Sequence, residues 1–229
     1  MSSLFEVRKT AIIAFVAMAG IFLTATANAV PSLRLTQGAN IVTVTDNGAG
    51  DINSDSGVVV FSGGVGDFIV NTTTGVTKPL LGSSSSPILD LNSINVNGAS
   101  SGTIILEFSE TGFTNVNATL DMLSVNGGTT AGTLQFETFG SLSNTLFATD
   151  IMIADSGALA GPFLFDELST EALTGTFSLT TRGTITHTSG FQNSSFNSVL
   201  EVPEPSVAAS LVLGTLLIGA NILARRRRR

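Results

Sequence analysis

The stretch Thr103-Ile104-Ile105-Leu106-Glu107-Phe108 decides the fold class of this 229-residue chain. Three of its apolar residues, Ile104, Leu106 and Phe108, stand two positions apart, which is the period of a β-strand with one face on a core. The same spacing recurs at Leu89 and Leu91, Ile94 and Val96, Leu134 and Phe136, and Phe177 and Leu179. We therefore expect an all-β fold whose strands pair an apolar face with a face of Thr, Ser and Asn.

Short runs of this kind repeat through residues 30–200 and are separated by Gly, Asn, Asp and Ser. The candidate strands are 41–45, 58–62, 68–71, 88–96, 103–108, 116–123, 133–139, 146–154, 173–180, 184–188 and 195–202. Turns are predicted at Asn47-Gly48, Gly63-Gly64, Asn97-Gly98 and Asn126-Gly127-Gly128, and a flexible loop at 82–87. This pattern predicts a β-sandwich or jelly-roll-like body, with room for one helical insert near Asp166–Leu173.

The charge is divided unevenly along the chain. The net charge is −7 overall, yet residues 30–200 hold three basic residues against 14 carboxylates, a net charge of −11. Because an acidic body does not release counterions from a phosphate backbone, nucleic acid is excluded as a partner. The chain has no Cys and one His, which excludes disulfides, thiolate metal sites and His-rich metal sites.

The first 29 residues have the three parts of a secretory signal peptide. Arg8 and Lys9 supply the positive region, and residues 11–23 form an apolar or small run of 13 residues. This run is shorter than the about 20 residues that a spanning helix needs. Ala27 and Ala29 then provide the small side chains that signal peptidase requires. We expect Sec-dependent export and cleavage after Ala29, with a retained N-terminal anchor as the alternative.

A second apolar segment lies near the C-terminus. Residues 206–224 are 19 uncharged residues, which as a helix extend about 28 Å and can cross the hydrocarbon core. A basic cluster that flanks such a span stays on the cytoplasmic side. The pattern predicts a single transmembrane helix with residues 30–200 outside, followed by a stop-transfer tail made of Arg225, Arg226, Arg227, Arg228 and Arg229.

The segment Val202-Pro203-Glu204-Pro205-Ser206 lies directly before this span. Its two prolines remove two backbone donors and favour an extended conformation, which is a shape that the cleft of a processing enzyme can bind. The order of this motif, one hydrophobic span and a terminal Arg run, over residues 202–229, resembles the PEP-CTERM sorting signal of Gram-negative bacteria and cyanobacteria.

This resemblance implies a route of delivery. PEP-CTERM proteins are substrates of exosortase, an integral-membrane protease or transpeptidase that recognises the Pro-Glu-Pro motif, here Pro203-Glu204-Pro205. The resemblance implies that this chain is first an export intermediate anchored in the inner membrane and is later delivered to the cell surface or extracellular matrix. Exopolysaccharide is then a candidate partner. The expected plan is a signal peptide at 1–29, a body at 30–200 and a sorting signal at 201–229.

One loop of the body carries the residue types of a calcium site. Asp51, Asn53 and Asp55 place three oxygen ligands at alternate positions, as calcium loops do. The EF-hand pattern also requires Gly at the sixth position and Glu at the twelfth, where this chain has Ser56 and Ser62. A β-turn loop with Asx caps is the main interpretation, and calcium binding by the three residues is the alternative. No other cofactor is expected.

The body has no recognisable catalytic motif. Carboxylates of the kind that glycosidases use are available, but Glu107 and Glu110 are not set in a known pattern, and no G-x-S-x-G or phosphate loop occurs. His187 stands alone, which favours a packed or hydrogen-bonded imidazole. Trp and Tyr, on which sugars usually stack, are absent. We expect a non-enzymatic structural or interaction module, with a calcium-dependent adhesion module and a polysaccharide hydrolase as alternatives.

Overall fold

The computed structural model describes residues 30–203, which form an all-β body without a helix. The strands are β1 Ser32–Gln37, β2 Asn40–Thr45, β3 Val58–Val65, β4 Phe68–Val76, β5 Ile88–Gly98, β6 Gly102–Asn115, β7 Leu120–Ser141, β8 Ile151–Asp155, β9 Leu159–Glu171, β10 Gly175–His187 and β11 Asn193–Glu201. The predicted signal peptide and the predicted transmembrane helix with its Arg tail lie outside these residues. Within the described body, no helix is long and apolar enough to cross a membrane.

The strands form one antiparallel hydrogen-bonded arrangement in which neighbours in space are often distant in sequence. The order is β2-β1-β6-β10-β7-β11-β5-β4-β3, while β8 and β9 pair with the other side of β7. The two end strands of this series, β2 and β3, contact each other, and β5 contacts β6 and β10. The arrangement is therefore folded into two layers, which agrees with the predicted sandwich.

The 22-residue strand β7 connects the two layers. Residues 123–130 of β7 pair with β11, whereas residues 133–141 pair with β10. The register of β7 against β9 shifts between Thr130 and Thr133. Since a bulge bends a strand and increases its twist, this shift lets one continuous strand leave the first layer and enter the second.

The core lies between the layers and is filled by the faces that the two-residue period predicts. The three alternating apolar residues of β6, Ile104, Leu106 and Phe108, are fully buried. Phe108 of β6 packs across the core on Gly75 of β4, so closely that a Cβ at Gly75 would lie under 3.0 Å from the ring. Phe68 of β4 lies 5.4 Å from the imidazole of His187 in β10, between ring centroids. These contacts join strands that are not hydrogen-bonded neighbours.

Most predicted strands are present, but several predicted interruptions are not. Asn126-Gly127-Gly128 lies inside β7 and pairs with both β11 and β9, so the predicted turn there is wrong. Gly63-Gly64 lies inside β3 beside a register shift. At these places the small residues allow a neighbouring strand to approach closely, or allow a β-bulge. These parts of the strands therefore have the amino-acid composition of a turn. The predicted loop at 82–87 and the predicted turn at Asn47-Gly48 are present, and the flexibility of that loop stays a prediction.

The predicted helical insert near Asp166–Leu173 is wrong, because most of this segment belongs to β9. This strand pairs with β7 and lies at an edge of its layer. Leu164 and Leu168 on its outer face are 77% and 66% exposed, while Phe163 and Phe165 on the other face are half-buried. Because both faces carry apolar residues, the two-residue period is hidden in the sequence. β1 also lies outside the predicted strands, although Leu33 and Leu35 alternate into the core.

Replacing Gly75 with Ala tests the packing between the layers. The added methyl group would overlap the Phe108 ring, and overpacking of a core costs about 1–3 kcal/mol. We expect Gly75→Ala to lower the Tm, by about 2–4 °C for each kcal/mol lost, as measured by circular dichroism. Gly64→Ala is the matched control, because the nearest atom to a Cβ there is 3.8 Å away. Equal Tm values for the two variants would contradict this packing.

Candidate functional site

The alternation that builds the core also carries one carboxylate into it. Glu110 continues the inward-facing series that ends with Phe108 in β6, and it is 1% exposed. The register against β10 then shifts between Phe177 and Leu179. This bulge changes the phase of β6, so that the odd-numbered Phe113 is the next large residue in the core. Glu110 therefore lies where the core meets the end of the strand.

Lys78 and Thr77, which directly follow β4, hold this carboxylate. The Lys78 Nζ atom lies 2.7 Å from Glu110 Oε1, and the Thr77 hydroxyl donates a hydrogen bond of 2.6 Å to Glu110 Oε2. Lys78 Nζ also donates to the Thr111 carbonyl at 2.8 Å and lies 4.0 Å from the centroid of the Phe113 ring. The ammonium group is therefore fixed by a carboxylate, a carbonyl and an aromatic face.

Burial acts against both charges of this pair. Desolvation raises the pKa of the Glu110 carboxyl and lowers the pKa of the Lys78 ammonium. The contact between the two groups and the Thr77 hydrogen bond oppose these shifts, whereas the negative charge of Asp46 raises the pKa of Glu110 further. Glu110 Oε1 has the Lys78 ammonium beside it, but no donor among the described residues is aligned with it for a hydrogen bond.

Glu110 and Lys78 line a cleft of about 770 Å³, which we name the Glu110 cleft. Small-molecule sites in proteins commonly measure about 300–1,000 Å³. The rest of the lining includes one further carboxylate, three serines and two prolines, which are Asp46, Ser56, Ser83, Ser84, Pro31 and Pro79. The Ser84 carbonyl accepts the Thr114 N–H at 2.7 Å, which fastens the 82–87 loop to β6. The cleft thus offers several acceptors and donors on a supported frame.

The loop between β2 and β3 forms one wall of the Glu110 cleft. Asp46 Oδ2 accepts the Gly57 N–H at 2.9 Å, and the Gly57 carbonyl accepts the Thr77 N–H at 2.9 Å. Gly57 has a φ of +87° and lies so close to the carbonyls of Thr77 and Lys78 that a Cβ would overlap them. The loop is therefore fixed against the segment that carries the cleft lysine.

Asp51, Asn53 and Asp55 lie in the same loop, outside the lining of the cleft. Asp51 Oδ1 accepts the N–H groups of Asn53 and Val60 at 3.1 and 2.9 Å, and its Oδ2 accepts that of Asn47 at 3.0 Å. Asn53 Oδ1 accepts the Asp55 N–H at 2.6 Å. These are Asx caps. No three His, Cys, Asp or Glu side chains of the described body are grouped to hold a metal ion, and the calcium hypothesis stays a prediction.

A second charge cluster lies on the outer face of β6. Glu107 Oε2 accepts a hydrogen bond of 2.6 Å from Arg34 Nε of β1, and Glu107 Oε1 accepts bonds of 3.0 Å from Arg182 of β10. Arg182 also lies 3.4 Å from Glu137 of β7. The strand register places these residues opposite one another. The cluster therefore joins four neighbouring strands.

His187 is hydrogen-bonded inside the body. Its Nε2 lies 2.9 Å from Ser194 Oγ, which is also 2.7 Å from Thr130 Oγ1. Burial lowers the pKa of the imidazole, and Nδ1 has no hydrogen-bond partner among the described residues. Since His187 is 1% and Ser194 0% exposed, a substrate does not reach this pair. The expectation of a packed, hydrogen-bonded imidazole is confirmed.

The other predicted site residues lie mainly outside the described body. These are Ala27 and Ala29 of the signal cleavage site, Glu204 and Pro205 of the motif, and the Arg225–Arg229 tail. Val202 is half-buried, packs on the core and donates its N–H to the Pro87 carbonyl at 3.2 Å. The motif residue Pro203 is the last residue that the structure describes.

The ion pair of Lys78 and Glu110 was not predicted from the sequence. A signal for it was present, because Glu110 keeps the even-numbered phase of Leu106 and Phe108. A carboxylate in that phase must be buried, and a buried charge needs a partner. Which of the three basic residues provides it depends on the packing of β4 across β6, which local spacing does not reveal.

Removing one partner of this pair should cost more stability than removing both. Lys78→Met leaves a buried carboxylate without its counter-ion, a loss that costs about 3–5 kcal/mol. We expect Lys78→Met/Glu110→Gln to unfold at higher urea concentration than Lys78→Met at pH 7. The deficit of Lys78→Met should shrink as the pH falls, because Glu110, whose pKa is raised, then becomes protonated.

Arg34→Met is the matched control for Lys78→Met. Arg34 also pairs with a carboxylate of β6, but its side chain is 32% exposed and Glu107 keeps Arg182. We expect this variant to lose about 1 kcal/mol or less. Additive effects of the Lys78 and Glu110 substitutions would contradict the coupling between the two residues.

Comparisons with known proteins give no family for this chain. No family model matches it, and no curated protein matches it. Among solved structures, it is similar to the isomalto-dextranase of Arthrobacter globiformis T6 complexed with panose, at a TM-score of 0.26 and 11% identity. The match covers 62% of this chain and 23% of that structure, so the chain spans about a quarter of its length. A likeness at this TM-score carries no argument about function.

Proposed function

We propose that this chain is an exported protein that exosortase sorts to the cell surface or the extracellular matrix through residues 202–229. The observation that carries the proposal is the ordered set of the Val202–Pro205 motif, the 19-residue apolar span and the terminal Arg run. Signal peptidase removes residues 1–29 on the way. The protein is then an inner-membrane intermediate until its sorting signal is processed.

The end of the body supports this proposal because the last strand ends directly before the motif. β11 ends at Glu201, and Val202 is held by its hydrogen bond to Pro87. Pro203 lies outside β11 and is half-buried. A processing enzyme that binds the motif from Pro203 would therefore not need to unfold β11.

We further propose that the body is a non-enzymatic interaction module that uses the Glu110 cleft. The net charge of −11 over residues 30–200 repels anionic polymers. The cleft, however, presents hydroxyl groups of Ser56, Ser83 and Ser84 beside two carboxylates. Such a lining suits neutral or cationic groups of a matrix component, of which an exopolysaccharide is the first candidate.

A polysaccharide hydrolase is the second candidate for the body. One observation favours it: Asp46 and Glu110 line the same cleft, and burial raises the pKa of the Glu110 carboxyl. Glycosidases use a pair of carboxyl groups, and the one that acts as the general acid has a raised pKa. Release of reducing sugar from a purified exopolysaccharide, lost in Glu110→Gln, would support this candidate over the binding module.

The sorting proposal predicts that the Pro-Glu-Pro motif and the Arg tail are both required for delivery. We expect Glu204→Gln, and separately deletion of Arg225–Arg229, to leave the protein in or before the inner membrane. Cell fractionation and protease accessibility at the surface measure this. Glu201→Gln is the matched control, because it removes a neighbouring carboxylate outside the motif and should be displayed normally. Unchanged surface display of both altered chains would refute the sorting proposal.

The calcium alternative has a separate test. If the loop is held by Asx caps alone, the Tm of the body should be the same in excess calcium and in chelator. If Asp51, Asn53 and Asp55 bind calcium, the ion should raise the Tm, since a ligand at 100 times its Kd stabilises a fold by about 2.7 kcal/mol. In that case Asp51→Asn should remove most of the calcium effect.

A further inference from the structure

The Glu110 cleft is short of one positive charge. Its charged lining residues are Asp46, Lys78 and Glu110, so two carboxylates face one ammonium group. Lys78 is held by Glu110, and the two arginines of the described body are held by Glu107. No basic side chain among the described residues therefore remains for Asp46. A second cation in the cleft would be stabilised by this imbalance.

Val30 and Pro31 line the same cleft. Pro31 is buried, and its carbonyl accepts the Asp46 N–H at 3.0 Å, just beyond the ladder pair of Ser32 and Thr45. This bond fixes the start of β1 beside Asp46. Val30 is 39% exposed and is separated from the fixed Pro31 by one peptide bond. Two residues extend at most about 7 Å, so the Val30 nitrogen stays at the cleft.

We infer that the missing cation is the α-ammonium group of Val30, which signal-peptide cleavage creates. The inference rests on the proposed cleavage after Ala29. Hydrolysis of the Ala29–Val30 peptide bond consumes one water molecule, leaves a carboxylate on Ala29 and leaves an amine on Val30 that takes up a proton. Before cleavage this nitrogen is an uncharged amide. Maturation thus places a positive charge next to Asp46 and completes the charge balance of the cleft.

Cleavage after Ala29 would change the net charge of the Glu110 cleft. In the uncleaved chain the cleft carries a net charge of −1 from its three charged side chains, whereas in the mature chain it is neutral. Val30, Asp46 and Asn47 all line the cleft. A cationic ligand would then compete with the N-terminus of the protein, while a neutral hydroxylated ligand would meet a cleft whose charges are already balanced.

The pH dependence of this ion pair follows from the amine. An α-amino group in an unfolded chain has a pKa of about 7.7–8.0, and a carboxylate partner in the folded state raises it. The stabilisation is therefore fully present below about pH 7.7 and is lost as the pH rises through the raised value. The charged side chains that line the cleft together with Val30 are Asp46, Glu110 and Lys78.

The test compares the mature chain Val30–Arg229 in detergent with the same chain acetylated at the Val30 nitrogen. Acetylation removes the charge and changes no side chain. We expect the acetylated chain to unfold about 2–4 °C lower at pH 7, the size of a partly exposed ion pair in a body of this length. The difference should vanish at about pH 10, where the free amine is neutral.

Two backgrounds identify the partner. In Asp46→Asn, which can still accept the Gly57 N–H, acetylation should no longer change the Tm. In Asp166→Asn, which removes a carboxylate of β9 outside the cleft, the full difference should remain. An unchanged Tm on acetylation of the original chain, or a loss that persists in Asp46→Asn or at pH 10, overturns the inference.

Failure of the inference is distinguishable from failure of the proposed export. The mass of the N-terminal peptide of the exported protein reports whether cleavage follows Ala29. If the exported chain begins elsewhere, the cleavage after Ala29 is refuted and the inference fails with it, while the sorting proposal is still tested by Glu204→Gln. If it begins at Val30 and acetylation has no effect, the export proposal stands and the role of the ammonium group does not.

Discussion

The inward-facing phase of β6 is the constraint on which the rest of this structure depends. A residue whose side chain points into the core must be apolar, or it must pair there with a group that satisfies its charge or its hydrogen bonds. Glu110 is such a charged residue, and it pairs with Lys78. Its partner Lys78 comes from the end of β4, in the opposite layer, so the ion pair fixes the distance between the layers where the apolar core ends. The hydrogen bond from Thr77 and the approach of Gly57 to the same segment follow from this placement. A charged pair, and not an apolar side chain, lies at this end of the core and lines the cleft.

The second constraint is that one strand serves both layers. β7 reaches its 22 residues by bending between Thr130 and Thr133, and it pairs with β11 before the bend and with β10 after it. Small residues make this route possible, since a Cβ at Gly128 or Gly132 would overlap the backbone of the neighbouring strand. Glu137 lies beyond the bend and joins Arg182 in the charge cluster across four strands. β7 therefore joins the two layers as one continuous strand, and the ion pair of Lys78 and Glu110 joins them through side chains.

The sequence was sufficient for the parts of the fold that depend on local period. Ile104, Leu106 and Phe108 predict their own burial, and the turn at Asn47-Gly48 is present. Prediction failed where tertiary packing overrides the local sequence pattern. Gly127 and Gly128 have the composition of a turn, but they lie inside β7, where neighbouring strands approach closely. Leu164 is exposed on the edge strand β9, which has apolar residues on both faces. For the candidate site, the phase of Glu110 was readable but its partner was not, because Lys78 is brought to it by the pairing order of strands far apart in sequence.

The few basic residues of the body show how its acidity is organised. All three basic residues contact carboxylates of β6: Arg34 and Arg182 contact Glu107, and Lys78 contacts Glu110. The side chains of Glu107 and Glu110 are only 4% and 1% exposed. The positive side chains therefore pair with buried carboxylates, which would destabilise the fold most if they were unpaired. The carboxylates of the loops and of β9 are left to the surface, where water and salt screen them. A surface of this kind repels copies of itself and anionic polymers, so the proposed association with a matrix would need a place where charge is balanced and hydroxyl-bearing residues are gathered. The Glu110 cleft has such residues in its lining, and the inferred ammonium group of Val30 would balance its charge.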